Sequence, residues 1–455
     1  MISRKQPRSR RVQILIVGAG LTGLSTAIHL DAAGLGDYLV VESEDRPGGW
    51  AKTDWTGAYG VDRGVHVLYF RNPAMQRWVA ELLNEEWVAH AKHCLVDRDG
   101  IRTPFPFHAN LFGRSADVVK DCLLGLFEAN VARREAKHPP ATFDEWIDLH
   151  YGAGVKRHFM TDYNTKMWTV PPSTMGWDWM RDFVPEIDLE RIVAGALSAQ
   201  DSRLGLNAHF YYPRGGISQL SNKLAARVDA ERIFYRATLV EIDAVAKHAR
   251  LADGTIVNYD VLVSTAPLNV LVDMLAPLPP HVAAARGRLE AVDLTLVDIA
   301  MKDPLTRDVH WVYLADRSVL SHRLYLCHAL SDEMAPRGEG LYCLEIAHSR
   351  WRPLPAGDLV ARVTEDLVRA GWLKDKGSVT FSRVRTFRSA YVLPRPGFVQ
   401  DSAALRAFLR QHAIWSVGRY GEWKYSNVED ALLDGQTTAA RLATMRGQPS
   451  LATSR

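Results

Sequence analysis

The chain has 455 residues, enough for two or three domains with cores of their own. Its 47% hydrophobic and 24% charged residues are typical of a globular protein, and a net charge of +3 does not indicate a general nucleic-acid binder. No apolar run is long enough to cross a bilayer, and the four scattered cysteines lack metal-ligand spacing, so we expect a soluble, cytoplasmic protein with buried thiols and no metal.

The first predicted elements are a strand, a tight turn and a helix. The apolar run Val12–Val17 is followed by Gly18, Gly20 and Gly23, which open the helical pattern Leu24–Leu30. One glycine turns the chain, one lets the backbone approach a pyrophosphate, and one lets the helix pack closely on the strand. The helix N-terminus then faces the phosphates of a dinucleotide. The basic segment before the strand is expected to be a disordered tail.

A second apolar strand, Tyr38–Val41, ends at Glu42, where a carboxylate can accept hydrogen bonds from an adenosine ribose. Arg46, Gly48 and Gly49 follow directly. This spacing resembles the second fingerprint of the glutathione-reductase-like flavoproteins, which include the flavin amine oxidases. The alternative is a surface turn. Because both fingerprints occur in order, we predict that the dinucleotide is FAD rather than NAD.

The chain then leaves the predicted nucleotide-binding sheet. Alternating, glycine-punctuated residues around His66 predict short strands and turns, and composition alone favours a core histidine there. Residues 105–200 are predicted to form a mainly helical insertion. It opens with an extended, proline-containing loop that presents Phe105, Phe107 and His108.

Later segments return to the same sheet. Strand and hairpin patterns from Ile233–Ile242 to Thr255–Tyr259 precede the buried strand Asp260–Pro267. Alternation over residues 295–387 predicts an antiparallel domain, and Val428–Met445 is a long closing helix. The predicted fold class is α/β, a Rossmann-like FAD-binding domain of the glutathione-reductase type with a helical insertion and an antiparallel β-sheet domain. The predicted limits are 1–104, 201–290 and 386–455 for the FAD-binding domain, 105–200 for the helical substrate domain and 291–385 for the antiparallel sheet domain.

Several longer segments together resemble the UDP-galactopyranose mutases, flavoenzymes that interconvert the pyranose and furanose forms of UDP-galactose. They follow the family's order over nearly the whole chain: GAGLTGL, RPGG, GVHVLYF, TPFPFHANL, TFDEWI, FMTDYNTKMWTVP, YPRGG, LVSTAP, HRLYL, RSAYVLP and GRYGEWKYSNVEDAL. The resemblance implies an isomerase in which N5 of reduced FAD attacks the anomeric carbon with no net redox. It also implies that NAD(P)H or another reductant must first reduce the flavin.

The resemblance implies a role for individual residues, whereas the residues alone favour core packing for Trp168. Catalytic roles are implied for His66 and Arg419 at the flavin and for Arg323 on the substrate diphosphate. Substrate contacts are implied for Phe105, Phe107, Asn164, Trp168, Arg181, Arg323, Tyr391 and Tyr425. Cofactor contacts are implied for Gly18, Gly20, Thr22, Gly23, Glu42, Ser43, Gly48, Gly49, His66, Val240, Arg419, Asn427 and Val428.

The chain departs from the family at several positions. Phe183 stands where the family has a second diphosphate-binding arginine, with Arg181 two residues earlier, and Leu330, Val65 and His108 replace a tyrosine, a glycine and a glutamine. These changes bear on the identity of the substrate more than on the fold. The alternatives are a flavin oxidase or dehydrogenase of the amine oxidase or protoporphyrinogen oxidase type, and a non-catalytic relative that binds a nucleotide sugar. The expected partner is a nucleotide sugar and not a nucleic acid, and a homo-oligomer is left open.

Overall fold

The computed structural model describes residues 9–180, 188–199, 208–275 and 277–447. The strands are β1 (Ser9–Val17), β2 (Tyr38–Val41), β3 (Thr53–Thr56), β4 (Tyr59–Asp62), β5 (Trp87–Ala91), β6 (Cys94–Arg98), β7 (Ile101–Pro104), β8 (His209–Pro213), β9 (Ile233–Phe234), β10 (Leu239–Asp243), β11 (His248–Leu251), β12 (Ile256–Ser264), β13 (Glu290–Lys302), β14 (Trp311–Leu314), β15 (Arg323–Leu326), β16 (Glu339–His348), β17 (Val379–Leu393) and β18 (Ile414–Ser416). The helices are α1 (Leu21–Ala32), α2 (Pro73–Leu82), α3 (Ala116–Glu135), α4 (Phe143–Val155), α5 (Thr161–Trp168), α6 (Leu189–Leu197), α7 (Ser218–Ala225), α8 (Leu268–Asp273), α9 (Pro280–Arg288), α10 (Cys327–Leu330), α11 (Leu359–Arg369), α12 (Phe398–Gln411), α13 (Gly418–Gly421) and α14 (Val428–Met445).

The first sheet has the order β10-β11-β12-β1-β2-β9, and β18 also pairs with β12. Strand β1 pairs in parallel with both β12 and β2, so the late segments return to the first strand as predicted. Helices α1 and α14 pack together on this sheet, where Gly435 allows close approach to Ser25. The predicted α/β fold class is confirmed.

Strand β1 is longer than predicted. It begins at Ser9 rather than Val12, because residues 9–11 continue the parallel pairing with residues 256–258 of β12. The expected disordered tail is therefore wrong for these three residues, and its remainder lies outside the described residues.

The second sheet has the order β17-β13-β16-β15-β14-β6-β7 and is antiparallel except where β14 meets β6. Strands β6 and β7 belong to it although they precede the helical insertion. Strand pairing thus crosses the predicted domain limit at 104, and β17 crosses the limit at 385. The domain limits themselves stay predictions.

The helical insertion packs against this second sheet and shares one apolar core with it. Helix α4 breaks at Gly152, whose φ is +73°, because α3 and α4 are in close contact there: a Cβ on Gly152 would lie 2.0 Å from the carbonyl oxygen of Gly125. Helix α5 then places Trp168 beside Tyr391 of β17, in the core shared with the second sheet. Within the described ranges, no helix combines the length and the apolar character needed to cross a membrane.

Asp62 is the last residue of β4, and its side chain is buried between β3 and β8. It is 1% exposed, and it accepts hydrogen bonds from Thr53 Oγ1 at 2.7 Å and Tyr212 Oη at 2.8 Å. Burial raises its pKa to about 7, against the opposing effect of these donors. The folded-state pKa of Asp62 lies above the value of 3.8 for an ordinary aspartate. The protonated carboxyl therefore contributes stability that is fully present below pH 3.8 and is lost as the pH rises through about 7.

We expect Asp62→Asn to become more stable relative to the wild type as the pH rises from 5 to 8. Asparagine cannot ionise, so the loss of roughly 3 kcal/mol in the free energy of unfolding that the wild type undergoes between pH 5 and 8 is removed. Thermal unfolding of both proteins at the two pH values measures this. Asp117→Asn, at a side chain that is 88% exposed, is the matched control and should show no such trend. If the difference in thermal stability between Asp62→Asn and the wild type were the same at both pH values, the raised pKa of Asp62 would be contradicted.

Candidate active site

The turn between β1 and α1 has the geometry of a pyrophosphate site. Gly18 has a φ of +102°, and a Cβ on Gly23 would lie 2.0 Å from the Gly18 carbonyl oxygen, so both positions require glycine. Gly20 is the N-cap of helix α1, which has no side-chain cap and no acidic residue in its first turn. Its first N–H groups are therefore not capped by a protein side chain and are placed to bind an anion.

The second fingerprint meets the first at this turn. Glu42 is buried, and its Oε2 accepts the N–H of Ala19 at 2.8 Å. The N–H of Gly48 donates to the Ala19 carbonyl at 2.8 Å, and Gly48 forms a parallel bridge with Gly20. A carboxylate at the end of β2 beside an uncapped helix N-terminus fits the ribose and the pyrophosphate of FAD.

The other expected cofactor residues have mixed placements. Gly418, with a φ of +78°, lies over Thr22, and a Cβ there would be 2.8 Å from Thr22 Oγ1. Val428 is buried, and Asn427 caps α14 by accepting a backbone N–H through Oδ1. Two expected residues are exposed, Ser43 and Val240.

His66 lies after β4 with its ring fixed by the backbone. Its Nδ1 is 3.0 Å from the Gly64 carbonyl oxygen, and since a carbonyl only accepts, Nδ1 carries the proton and Nε2 keeps its lone pair. Burial, assisted by the positive charge of Arg419, lowers the pKa of His66 to about 4. The imidazole is therefore neutral at pH 7 and presents Nε2 as an acceptor.

A cluster of polar groups lies beside His66 at the end of the second sheet. Arg323 pairs with Glu345, which is 0% exposed, through Nη2 at 2.8 Å from Oε1 and 2.6 Å from Oε2. The hydroxyl of Tyr391 donates to Glu345 Oε2 at 3.1 Å. Burial disfavours the carboxylate, but the charge of Arg323 outweighs this and holds the pKa of Glu345 at about 2. Glu345 is thus an ionised anchor for Arg323.

Aromatic rings connect this cluster to the FAD-binding end. Trp168 lies with its ring centroid 6.0 Å from that of Tyr391 and 6.3 Å from that of Tyr425. The Arg419 guanidinium lies 4.7 Å from the Tyr425 ring centroid and donates to the Ser426 carbonyl at 2.8 Å. No carboxylate of a described residue forms an ion pair with Arg419, so its charge is available to an anion.

Several donors in this region lack a partner in the protein. Trp168 Nε1, Arg323 Nε, Arg419 Nε and Ser426 Oγ are buried and make no hydrogen bond to any described group. A buried donor without an acceptor costs free energy, so unsatisfied donors gathered in one place indicate a ligand rich in acceptor oxygens.

The structure corrects the prediction for the aromatic loop. Phe105 is half-buried and stacks on Tyr313, with the ring centroids 4.5 Å apart. Phe107 and His108, however, are only 1% and 3% exposed, and Phe107 stacks on Phe159 in the core. The loop therefore does not present these two side chains, because the chain turns inward in a 3₁₀ helix at Phe107–Ala109 and Phe107 joins the core of the helical insertion.

Two further expected substrate residues are Asn164 and Arg181, and two departures from the family pattern are Leu330 and Phe183. Asn164 is buried, and its Nδ2 already donates to the Met160 carbonyl at 2.8 Å, which leaves Oδ1 for other partners. Leu330 is buried in the core, and its carbonyl lies 2.8 Å from the Nε2 of His90. Arg181 and Phe183 lie outside the described residues.

Sequence reasoning missed three residues of the site: Glu345, Tyr313 and Trp179. Trp179 packs against Trp168 and Tyr425, with ring centroids 4.8 and 5.8 Å away. Glu345 carried a detectable signal, because it is a charged residue inside the otherwise apolar segment Leu341–Ala347.

The fold, and the fit of the β1–α1 turn and Glu42 to the pyrophosphate and ribose of FAD, define an FAD-binding protein of the flavin amine oxidase type. The model of the family "Flavin containing amine oxidoreductase" matches residues 21–443, and the chain belongs to this family. The cofactor is accordingly FAD, as predicted.

Solved structures refine this class. A structure of reduced UDP-galactopyranose mutase is similar with a TM-score of 0.90 and 25% identity, covering 95% of this chain and 94% of that one. A putative protoporphyrinogen oxidase from Exiguobacterium is similar with a TM-score of 0.71 and 13% identity, covering 97% of this chain and 100% of that one, and shows the fold alone. The resemblance to a UDP-galactopyranose mutase-like flavoprotein is confirmed.

A curated relative is a phytoene dehydrogenase from Streptomyces griseus. It is 26% identical over 312 aligned positions, and the match covers 62% of this chain and 59% of the relative. The chain thus spans less than two thirds of the length of that relative.

Proposed function

We propose that this protein is a flavin-dependent pyranose/furanose mutase for a nucleotide sugar, similar to UDP-galactopyranose mutase. The observation that carries the proposal is the group of unpaired donors at Trp168, Arg323 and Arg419, next to the neutral His66. The similarity to a mutase structure over 95% of the chain supports the same activity. The product would be a furanose precursor for a polysaccharide or a specialised metabolite.

The diphosphate of the substrate would bind between the two sheets. Arg323 offers charge-assisted hydrogen bonds to phosphate oxygens. The hydroxyls of Tyr391, on turning away from Glu345, and of Tyr425 would donate to the same oxygens. The indole N–H of Trp168 adds a donor that the protein leaves unpaired. Phe105, stacked on Tyr313, is the aromatic group that we assign to the nucleobase.

Two residues would act at the flavin. When bound and reduced, FAD supplies a nitrogen nucleophile for the anomeric carbon and leaves no net change in redox state. His66 holds a proton on Nδ1 and offers Nε2 as an acceptor to a flavin or sugar donor. The unpaired charge of Arg419 stabilises negative charge on the reduced flavin or on the departing diphosphate.

We expect dithionite-reduced holoprotein to convert UDP-galactofuranose into UDP-galactopyranose, and the oxidised protein not to do so. Chromatography of the nucleotide sugars measures the conversion. No turnover of UDP-galactofuranose or of several other nucleotide sugars would overturn the proposal.

The second candidate function is a flavin oxidase or dehydrogenase, which the family match and the phytoene dehydrogenase relative favour. In that case an amine or another oxidisable substrate would bleach the oxidised flavin under anaerobic conditions. A mutase needs an external reductant such as NAD(P)H, so its flavin stays yellow with the nucleotide sugar alone. The anaerobic absorbance spectrum separates the two functions.

The location that we propose is the cytoplasm. All four cysteines are buried and free, which suits a reducing compartment where nucleotide sugars and NAD(P)H are present.

A further inference from the structure

His322 is a buried imidazole beside the diphosphate cluster to which the proposed function gives no role. It is 0% exposed, and its Nε2 lies 3.3 Å from Glu345 Oε2. Neither ring nitrogen makes a well-aligned hydrogen bond to a described group. Burial lowers the pKa of His322 to about 4, so the unliganded protein holds it neutral at pH 7.

Charged and titratable groups approach His322 from each neighbouring element. On α5 these are Tyr163, with ring centroids 6.4 Å apart, and Lys166, whose charge opposes protonation of His322. Strand β15 contributes Arg323, which also opposes it, and β16 contributes Glu345, which favours it. Strand β17 contributes Tyr391, also with ring centroids 6.4 Å apart.

The proposed substrate creates a competition at this cluster. Arg323 is needed by the diphosphate, but its Nη2 is already bonded to both oxygens of Glu345. The unpaired Nε of Arg323 can meet the phosphates while Nη2 stays on Glu345, so one positive charge is then shared between the buried carboxylate and the diphosphate. A buried carboxylate whose charge is only partly compensated is unfavourable, so a second group gains by supplying positive charge.

We propose that His322 takes up one proton from solvent when a nucleotide diphosphate binds, and that the resulting imidazolium joins Arg323 as a second cationic partner of Glu345. Both ring nitrogens then carry hydrogen, and Nε2–H donates to Glu345 Oε2. His322 is a positioning residue, because it acts on the substrate through Glu345 and Arg323. This inference rests on the proposed function and adds a coupled proton to it.

Calorimetric titration of the reduced holoprotein with UDP-galactose tests the proton directly. The diphosphate of UDP-galactose is a diester and does not titrate near neutral pH, so protons counted in two buffers of different ionisation enthalpy belong to the protein. We expect uptake of roughly 0.5 to 1 proton per site, and a dissociation constant that falls by up to about tenfold per pH unit between pH 8 and 6.

His322→Gln retains an N–H donor but cannot take up a proton, so its binding should show neither proton uptake nor this pH dependence. His328→Gln is the matched control: His328 is also buried, but its ring nitrogens face the Thr306 and Leu341 backbone, and proton uptake should equal that of the wild type.

Binding without proton uptake in the wild type would overturn this inference alone. Uptake that persists undiminished in His322→Gln would assign the proton elsewhere, for example to His66, and would also overturn it. Absence of any UDP-galactose binding by the wild type would overturn the proposed function, and this inference with it.

Discussion

Arg323→Ala is expected to lower kcat/KM for UDP-galactofuranose by roughly 10²- to 10³-fold while FAD remains bound. The reason is the loss of charge-assisted hydrogen bonds to the diphosphate, in a cluster where Arg323 is the cation that Glu345 and Tyr391 hold in place. The FAD residues around β1 and α1 lie on the other sheet and are not altered. Initial rates with the reduced protein measure the effect, and the flavin absorbance measures cofactor content.

Two further variants separate this effect from a loss of stability. Arg250→Ala removes an arginine that pairs on the surface with Glu241, and it should keep full activity. The double variant Arg323→Met with Glu345→Gln removes the unpaired buried carboxylate, so it should recover thermal stability without recovering turnover. Activity of Arg323→Ala within tenfold of the wild type would contradict the role of Arg323.

Gly23→Ala is expected to yield protein without FAD, with affinity for the flavin reduced at least about tenfold. The added Cβ would lie 2.0 Å from the Gly18 carbonyl oxygen and 3.1 Å from its carbon, and these are backbone atoms that cannot move aside cheaply. Helix α1 must therefore shift away from β1, and the N–H groups that face the pyrophosphate move with it. The flavin absorbance of the purified protein and titration with added FAD measure the loss.

Gly287→Ala is the matched control. Gly287 lies within α9, and a Cβ there meets nothing within 4 Å, so alanine should leave FAD content unchanged and favour the helix slightly. Normal FAD content in Gly23→Ala would show that the turn between β1 and α1 does not hold the cofactor as we describe.

The nucleotide-binding end could be predicted from the sequence because its parts are local. Gly18, Gly20 and Gly23 lie in and just after the turn between β1 and α1, and Glu42 follows directly on the next strand, β2. Their short spacing in the sequence therefore specifies their arrangement. The return of the chain to this sheet was also predictable, because β12 ends in a short apolar run, residues 261–263, just before Pro267.

The substrate end depends on contacts that spacing does not reveal. Arg323 and Glu345 face each other because β15 and β16 pair in a particular register, and the pattern of a single strand does not define its register with another. Strand β6 pairs with β14, although more than two hundred residues separate them. Phe105 and Phe107 differ in burial, although the two side chains are chemically identical.

The most direct test of the account counts product molecules per reducing equivalent. The oxidised holoprotein is mixed anaerobically with a hundredfold excess of UDP-galactofuranose, and one equivalent of dithionite per FAD is then added. The account predicts a yellow, inactive protein before dithionite, and afterwards many molecules of UDP-galactopyranose per FAD while the flavin spectrum stays reduced. Bleaching by the nucleotide sugar alone, or no more than one product molecule per FAD, would contradict it.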